Sequence, residues 1–409
     1  MKKKILWVSL CAPYDKVAHG GGKTHNYYLK KAVASSLFDI HLISFCDSSE
    51  YDEVVDDLKR YKVLNEIIPW THDLNVENVK RKFQLWDMEY NIFNCYGGAT
   101  NKYYWSQLYK CIDAIDYIPD VIVLQWTEIV LFTEKIRKYF PKVPIICIEE
   151  DVKFLAYERQ IDLCSNLLSK SLMRHKYNVL KKAELSSLCL AKLVITYSNK
   201  DKELLLPNIQ DHTLVISPYF EKISCYRGRT CNKNIVFYGA MSRKDNYDSA
   251  IWFIDNVFNR FEDKELKFII VGSKPADILY KYANDRIIVT GFVESVEPYF
   301  EQSLCLVAPL VSGAGIKIKV LEALSAGIPV LTNDIGIEGI DAENNVHYLH
   351  CQSPDEYVFA IERLIEDCEY SKVVSRNAKE MIENRYNIEK DASEFINRVC
   401  NIARTEGNK

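Results

Sequence analysis

The stretch Ala308-Pro-Leu-Val-Ser-Gly-Ala-Gly-Ile-Lys-Ile-Lys-Val-Leu-Glu-Ala-Leu-Ser-Ala-Gly-Ile-Pro-Val330 combines the end of a strand, a turn and a helix. Its Ser-Gly-Ala-Gly turn exposes successive peptide N–H groups, because glycine lets the backbone turn sharply and lets a ligand approach closely. We expect the helix to begin near Ile316 and to cover residues 317–326. Amides at a helix start, together with the helix dipole, suit a diphosphate.

Charged side chains in this helix make the prediction of a diphosphate site more specific. Lys317 and Lys319 place positive charge in the first turn, where it opposes the dipole, so a ligand is expected to supply negative charge. Glu322 lies roughly 9 Å further along the axis and could accept hydrogen bonds from a ribose. The alternative is an ordinary surface glutamate beside solvated lysines. The expected diphosphate-binding residues are Gly313, Ala314, Gly315, Ile316 and Lys317.

Short β-branched runs alternate with amphipathic stretches along the whole chain, which indicates parallel βαβ units. In the N-terminal half the predicted strands cover residues 5–10, 39–45, 66–70, 120–126, 144–148, 193–198 and 213–218. In the C-terminal half they cover residues 234–238, 266–271, 286–290, 304–309, 329–333 and 346–351. A capping box from Ser353 to Glu356 predicts a helix start there. Residues 79–117 are harder to interpret and form an insertion or a helical pair.

This pattern predicts an α/β protein of two Rossmann-like, doubly wound domains that face each other across a cleft. The 409 residues fit two domains. We place the N-terminal domain at residues 1–220, a polar linker at 221–233, and the C-terminal domain at 234–385. Residues 386–409 are expected to form a helix that packs back toward the N-terminal domain.

Composition excludes several other classes of protein. The formal net charge of -4 gives no bulk attraction to nucleic acid. No apolar run approaches the roughly 20 residues that span a bilayer. The thirteen cysteines are odd in number and contain no Cys-x-x-Cys pair, which argues against a disulfide framework or a structural zinc site. We therefore expect a cytoplasmic protein in a reducing compartment, acting in solution or at the inner face of the membrane.

The glycine run Gly20–Gly22 resembles two phosphate-binding motifs but fits neither. A Walker A motif needs a glycine where Val17 stands, and the dinucleotide fingerprint needs one where His25 stands. We interpret the run as a glycine-rich loop that enters a helix and suits an anionic or hydroxyl-rich ligand.

With these motifs in view, the sequence resembles the family 4 glycosyltransferases, which are retaining enzymes of the GT-B fold. The resemblance runs over most of the chain and is strongest in the C-terminal half. It rests there on the 312–329 segment and on Val236-Phe-Tyr-Gly-Ala240, Phe268-Ile-Ile-Val-Gly272 and Val289-Thr-Gly-Phe-Val293. In the N-terminal half it rests on Gly20–Gly22, Glu149-Glu-Asp151 and Val194-Ile-Thr-Tyr-Ser198.

The resemblance implies roles for individual residues on the donor side. Glu322 matches the second glutamate of the family's Glu-x7-Glu motif, which binds the donor's ribose, whereas the first glutamate is replaced by Ala314. Lys319 would stabilise the leaving diphosphate, and Arg243 and Lys244 lie near the family's basic pair. The remaining residues expected on the donor side are Gly22, Thr290, Phe292 and Val293, of which the last three would flank the base. No Asp-x-Asp triplet is present, which fits binding of the diphosphate without a metal or other cofactor.

On the acceptor side the candidates are Gly21, His25, Gln125 and Glu128, with Asp151 grouped with Glu322 and Lys319 as catalytic. Gln125, Glu128 and Asp151 follow predicted strands, where a helix cap or a loop salt bridge is the alternative role. The basic tract at residues 80–86 would contact an anionic membrane surface or, alternatively, form a solvated helix face.

These observations favour a retaining glycosyltransferase that uses a nucleoside-diphosphate sugar and a glycan or lipid-linked oligosaccharide acceptor. A GT-B epimerase or phosphorylase is a rival, although no motif places a lysine for the phosphorylase cofactor. A GT-B protein that binds a nucleotide sugar or a partner enzyme without catalysis is the second rival. Ala314 motivates that alternative, whereas Lys317, Lys319 and Glu322 argue against it.

Overall fold

The computed structural model describes residues 2–17, 19–70, 102–223 and 233–405. The chain forms two compact units, which comprise Met1–Pro218 with Ile388–Lys409, and Tyr219–Asn387. The basic tract 80–86, the first part of the 79–117 segment and most of the predicted linker lie outside the described residues. No helix in the described part of the chain is both long enough and apolar enough to cross a membrane.

The first unit contains, among its described residues, a seven-stranded parallel sheet with the order β3-β2-β1-β4-β5-β6-β7. Its strands are β1 (Lys3–Ser9), β2 (Phe38–Asp47), β3 (Leu64–Trp70), β4 (Val121–Gln125), β5 (Ile145–Ile148), β6 (Leu193–Thr196) and β7 (Thr213–Val215). The strand order reverses between β1 and β4, where Ser9 is paired with Gln125. In an open α/β sheet, ligands bind at the carboxyl ends of the strands beside such a reversal.

Helices connect these strands and cover the sheet. They are α1 (Gly20–Ala34), α2 (Tyr51–Arg60), α3 (Lys102–Asp113), α4 (Thr127–Val130), α5 (Thr133–Tyr139), α6 (Lys153–Leu163), α7 (Leu167–Leu188), α8 (Asn199–Glu203) and α9 (Pro207–Gln210). Because both faces of a parallel sheet are covered, its central strands are apolar at successive positions. Ile122, Val123 and Leu124 on β4 are all fully buried.

The second unit contains a six-stranded parallel sheet in its described part, with the order β10-β9-β8-β11-β12-β13. Its strands are β8 (Asn234–Tyr238), β9 (Lys267–Val271), β10 (Ile287–Gly291), β11 (Ser303–Ala308), β12 (Val330–Thr332) and β13 (Leu349–His350). The order again reverses, here between β8 and β11. Both units thus have the doubly wound arrangement that the alternating pattern predicted.

The helices of the second unit are α10 (Lys244–Asn256), α11 (Asp277–Tyr280), α12 (Glu297–Glu301), α13 (Ile318–Ala326), α14 (Asp334–Ile337), α15 (Pro354–Glu366) and α16 (Cys368–Arg385), with a short 3-10 turn at Phe258–Arg260. The predicted capping box is confirmed at α15, where the Ser353 hydroxyl accepts from the Glu356 N–H and Glu356 accepts from the Ser353 N–H. Helix α13 ends at Gly327, whose φ of 70° is left-handed and favours glycine.

The last helix, α17 (Ile388–Thr405), returns to the first unit. Phe395 on α17 is buried against Trp7 and Tyr28, with ring centroids 6.0 and 5.4 Å away. Asp391 accepts a hydrogen bond of 2.9 Å from the Ser217 N–H. The C-terminal helix therefore covers the core beneath β1 and α1.

Most cysteines of the described chain are free thiols, and Cys46, Cys147 and Cys305 are buried in or beside strands as small apolar side chains. Cys368 is disulfide-bonded. The cysteine count argued against a disulfide framework, and at Cys368 the structure departs from that expectation.

Candidate functional site

The candidate donor site lies at the carboxyl edge of the second unit's sheet, where the strand order reverses. Strand β8 is followed there by Gly239 and leads to α10, and β11 leads through residues 309–317 into α13. Gly239 has a φ of 155°, and a Cβ at this position would lie 3.1 Å from the Lys319 Nζ. Glycine is favoured because other residues rarely adopt this φ, and a side chain would also press against that ammonium group.

Lys319 is a largely buried cation in the first turn of α13. Its Nζ donates a 2.6 Å hydrogen bond to the Asn246 Oδ1 and lies 4.8 Å from the ring centroid of Phe237. Burial, together with the positive charges of Arg243 and Lys317, lowers the pKa of Lys319 to about 7. Within the described residues, no carboxylate forms an ion pair with Lys319. A desolvated ammonium in this position favours an anionic ligand.

Lys317 holds the preceding turn together. Its Nζ donates to the carbonyl oxygens of Gly315 and Ala314, at 2.5 and 3.2 Å, and lies 3.6 Å from the Glu338 carboxylate. The side chain of Glu338 is 1% exposed. Glu338 was not predicted from the sequence, because no sequence pattern near it indicates a carboxylate that pairs with Lys317 across the sheet edge. Helix α13 begins at Ile318, two residues later than expected, with Lys317 at the N-cap.

The turn itself presents unpaired peptide N–H groups. Gly313 and Gly315 have φ values of 120° and 68°, which are left-handed conformations that favour glycine. Among the described residues, no acceptor receives a hydrogen bond from the N–H groups of Ala314, Gly315 or Ile316. Successive free amides before a helix bind phosphate oxygens well.

Glu322 is buried, with 3% of its surface exposed, one turn beyond Lys319. The Tyr238 hydroxyl, at the end of β8, donates a hydrogen bond to the Glu322 carboxylate. Burial and the nearby Glu322 charge raise the pKa of Tyr238 well above its usual value. The alternative of a solvated surface glutamate is therefore wrong.

The predicted basic pair divides into two different environments. Arg243 is the N-cap residue of α10, lies 3.6 Å from the Asp245 carboxylate, and is close enough to Lys319 to lower its pKa. Lys244 is mostly exposed and pairs with Asp248 one turn along the same helix. The structure thus brings Arg243, but not Lys244, toward the turn.

The candidate base-binding residues lie at the end of β10 and directly after it. Thr290 donates to the carbonyl oxygens of Gly291 and Ile270, at 3.0 and 3.4 Å, and is partly buried. Phe292 is 76% exposed, and Val293 is partly buried. An exposed aromatic ring after the strand offers a stacking surface.

In the first unit, the glycine run forms the first turn of α1. We expected a loop that enters the helix; instead His19 caps the helix by accepting a 3.0 Å hydrogen bond from the Gly22 N–H. A Cβ at Gly22 would lie 2.4 Å from the Val17 Cγ2. Gly22 is therefore required by packing inside this unit.

Glu150 lies beside the start of α1. It was not predicted individually as a site residue from the sequence. Its Oε2 would lie 2.9 Å from a Cβ at Gly21, and its Oε1 accepts a 2.6 Å hydrogen bond from the Gln125 Nε2. Gln125 is buried and also accepts a 2.9 Å bond from the Trp7 Nε1. Burial raises the pKa of Glu150 to about 8. The sequence signal was the Glu149-Glu-Asp151 run at the end of β5.

His25, an acceptor-side candidate from the sequence, is fully buried. Its Nδ1 lies 3.2 Å from the Cys11 carbonyl oxygen, and its ring lies 5.2 Å from Trp7 and 5.5 Å from Trp126. Burial lowers the pKa of His25 to about 3, so the ring is neutral. Its Nε2 has no hydrogen-bond partner in the described structure. Trp126 has a φ of 71°, a strained conformation for a bulky residue.

Carboxylates gather at the carboxyl ends of β4 and β5. Glu128 pairs with Lys153 at 3.0 Å, and its charge raises the pKa of Lys153. Asp151 lies close enough for its charge to raise the pKa of Glu150 and of Glu184, each to about 8, although burial is the larger cause. This edge of the sheet is therefore rich in carboxyl groups, and Lys153 is the counter-charge of Glu128.

Part of the second unit is similar to a family of sugar-transferring proteins. Residues 232–367 match the family model described as Glycosyl transferases group 1. A Klebsiella pneumoniae protein described as an uncharacterized protein in the cps region is 24% identical over 54% of this chain and 58% of its own length. An uncharacterized glycosyltransferase of Methanocaldococcus jannaschii is 24% identical over 40% of this chain and 44% of its own. The alignments thus span about half the length of these curated relatives.

Solved structures resemble the whole chain. Sucrose-phosphate synthase of Thermosynechococcus elongatus has a TM-score of 0.69 at 13% identity, and covers 97% of this chain and 98% of its own. The Anabaena HepE protein in complex with UDP-glucose has a TM-score of 0.62 at 12% identity, with 97% and 99% covered. The two parallel-sheet, Rossmann-like units confirm the predicted fold class, and these neighbours are consistent with the GT-B fold.

Proposed function

We propose that this chain is a retaining glycosyltransferase that moves a sugar from a nucleoside-diphosphate sugar to a glycan or lipid-linked oligosaccharide. The observation that carries the proposal is the buried Lys319 ammonium beside the free amides of Ala314, Gly315 and Ile316. Positive charge that no carboxylate pairs with directly is costly to bury unless a ligand neutralises it. A diphosphate supplies that charge, and the family match over residues 232–367 supports a nucleotide-sugar ligand.

The proposed reaction breaks the bond between the sugar's anomeric carbon and the diphosphate oxygen. The acceptor hydroxyl oxygen forms the new glycosidic bond on the same face, and its proton passes to the departing phosphate oxygen. Negative charge grows on the diphosphate as the old bond breaks. Lys319, Arg243 and the turn amides would stabilise that charge in the transition state, which is the largest contribution available at this site.

Nucleoside recognition is assigned to the residues around Glu322 and β10. The Glu322 carboxylate, held by the Tyr238 hydroxyl, would accept hydrogen bonds from the ribose hydroxyls. Thr290, Phe292 and Val293 would contact the base, with the exposed Phe292 ring as a stacking surface. The UDP-glucose bound to the Anabaena neighbour supports UDP-sugars as the first donors to test.

Acceptor recognition is assigned to the carboxyl-rich edge of the first unit. The carboxyl groups of Glu150, Asp151 and Glu128 are suited to form hydrogen bonds with sugar hydroxyls, and the charge of Asp151 and Glu128 disfavours a phosphorylated group at the same place. Gly21 brings the α1 helix start close to Glu150. We therefore expect a neutral sugar at the reacting end of the acceptor. We propose a cytoplasmic site of action, at the inner face of the membrane when the acceptor is lipid-linked.

A thermal-shift screen against UDP-, GDP- and ADP-sugars tests the donor assignment, because a ligand that binds the native state raises the melting temperature. The donor that stabilises the protein is then incubated without acceptor, and release of nucleoside diphosphate is measured. Release by the wild type and its loss in Lys319→Ala support catalysis. Stabilisation without any release, with or without glycan acceptors, would favour the non-catalytic alternative, and no stabilisation by any donor would contradict the site.

A further inference from the structure

Helices α6 and α7 form a hairpin at the carboxyl edge of the first unit's sheet. The Glu184 carboxylate on α7 accepts hydrogen bonds of 2.9 and 3.2 Å from the N–H groups of Lys153 and Phe154, which open α6 just beyond β5. Tyr177 packs on Phe154, with ring centroids 6.2 Å apart, and donates to Glu158 across 3.2 Å. These contacts fix the base and the middle of the hairpin.

The hairpin extends well beyond the sheet. Because Glu184 is level with the start of α6, the preceding part of α7 back to Leu167 adds about 25 Å of helix at 1.5 Å per residue. Asn166 caps this end of α7, since its side chain accepts a 2.8 Å hydrogen bond from the Ser169 N–H. The tip is thus a capped, regular helical turn that is built to hold its side chains in place.

The tip exposes large apolar side chains to solvent. Leu167, Leu168 and Leu172 are 87%, 85% and 49% exposed, and lie within two helical turns. Single exposed leucines are common on protein surfaces, but a group at the end of a projecting hairpin indicates a contact surface. Burying these side chains against a bound surface would provide favourable free energy that is not gained while they are exposed to water.

The charge around the leucines identifies the surface that fits them. Residues 164–183 contain five lysines and arginines, with His175 in addition, and no aspartate or glutamate. The basic residues are Lys170, Arg174, Lys176, Lys181 and Lys182. A helix with apolar side chains flanked by basic ones matches the interface of an anionic bilayer, where apolar groups enter the acyl boundary and basic groups meet phosphates.

We propose that the tip of the α6–α7 hairpin docks on an anionic lipid bilayer. The proposal concerns a surface outside the donor and acceptor sites, and it does not depend on the donor chemistry. One consequence does rest on the proposed function: the hairpin rises from the sheet edge that carries Glu150 and Gln125, so docking would turn that edge toward the bilayer that holds a lipid-linked acceptor.

Co-sedimentation of the full chain with vesicles tests the docking. The vesicles contain either phosphatidylcholine alone or phosphatidylcholine mixed with phosphatidylglycerol. We expect binding to the mixed vesicles, a loss of about 30-fold or more in partitioning for the triple variant Leu167→Ser, Leu168→Ser, Leu172→Ser, and weaker binding as salt is raised. The double variant Lys170→Glu, Arg174→Glu should lose about 10-fold toward the mixed vesicles. Ile118→Ser, an equally exposed apolar position of the same unit, serves as the matched control.

Two outcomes would overturn the proposal. One is wild-type binding that the leucine variant retains in full, and the other is a wild type that ignores both kinds of vesicle while the leucines mediate self-association in sedimentation velocity. Thermal unfolding of the triple variant checks that the first unit folds, and UDP binding checks the second unit, which holds the proposed donor residues. Loss of UDP binding in every variant and in the wild type would instead count against the proposed function alone.

Discussion

The Lys319 Nζ donates a 2.6 Å hydrogen bond to the Asn246 Oδ1, and Asn246 in turn donates a 2.9 Å bond from its Nδ2 to the Ala240 carbonyl oxygen. The chain thus holds a buried ammonium with a neutral amide, which orients the cation without neutralising it. A carboxylate in place of Asn246 would stabilise the empty site but would compete with an anionic ligand. The neutral partner preserves the charge for a substrate.

Replacing Lys319 with Met should therefore separate stability from binding. Removal of the buried charge is expected to raise the free energy of unfolding of the unliganded protein by about 1–3 kcal/mol near pH 7. The same change should weaken UDP binding by about 10-fold or more, because a charge-assisted contact is lost. Chemical denaturation and titration calorimetry measure the two effects. Lys244→Met is the matched control, since Lys244 is exposed and pairs with Asp248. If Lys319→Met instead lowers the stability and leaves the UDP affinity unchanged, the role assigned to Lys319 is contradicted.

Binding of UDP should depend on pH through Lys319. Its pKa of about 7 in the free protein lies below its ordinary value of 10.5, and a bound diphosphate would raise it again. Above pH 7 binding must then take up a proton, so affinity should fall as pH rises, by up to about tenfold per pH unit. Calorimetry at pH 8 in two buffers of different ionisation enthalpy reports the proton uptake directly. Lys319→Met should bind without that uptake, whereas an unchanged uptake would assign the proton to another group.

The fold was predictable because its signals are local. The apolar run at residues 234–238 predicted a strand that is confirmed at Asn234–Tyr238, since a central parallel strand needs apolar side chains at successive positions. The edge strand was predicted at residues 346–351 and is confined to Leu349–His350. Asn345 adopts a φ of 61° and the His347 N–H donates to the Glu343 carbonyl oxygen, so the preceding residues form a turn.

The candidate site was predictable from the sequence only where residues that are close together in the chain form it. The turn before α13 and the pair Lys319 and Glu322 lie within ten residues, and the spacing alone placed them at one helix start. Other contacts join residues that are distant in the sequence and meet across the sheet edges, as for Glu338, Asn246 and Glu150. No local sequence pattern predicts such contacts. The burial of His25 between Trp7 and Trp126 was missed for the same reason.

Glu322→Gln should weaken the binding of UDP while leaving the binding of inorganic pyrophosphate almost unchanged. The carboxylate is assigned to the ribose, so its replacement by an amide removes acceptors that the diphosphate does not use. We expect a loss of about 10-fold for UDP and less than about twofold for pyrophosphate, measured by calorimetry. Tyr238→Phe, which leaves the carboxylate but removes its hydroxyl partner, should have a smaller effect on UDP. Equal losses for both ligands would place Glu322 at the phosphates.

Gly22→Ala should destabilise the first unit without changing the affinity for UDP. A Cβ there would meet the Val17 Cγ2 at 2.4 Å and the His19 ring at 2.8 Å, so the helix cap has to shift. Overpacking of this kind costs about 1–3 kcal/mol of the free energy of unfolding. Thermal unfolding and UDP calorimetry on the same variant distinguish packing from donor binding. If Gly22→Ala is as stable as the wild type but binds UDP more weakly, the result would support the predicted role of Gly22 in donor binding.

Glu150→Gln should become more stable than the wild type as pH rises. Burial raises the pKa of Glu150 to about 8, so the folded chain holds a proton that the unfolded chain releases near pH 4.5. The wild type therefore loses stability between pH 4.5 and 8, whereas the glutamine, which imitates the protonated acid, does not titrate. We expect similar melting temperatures near pH 4.5 and a variant that is more stable by about 1–3 kcal/mol at pH 8.5. The reverse order at pH 8.5 would mean that the carboxylate is held charged by the α1 helix start, and that its pKa is lower than its burial implies.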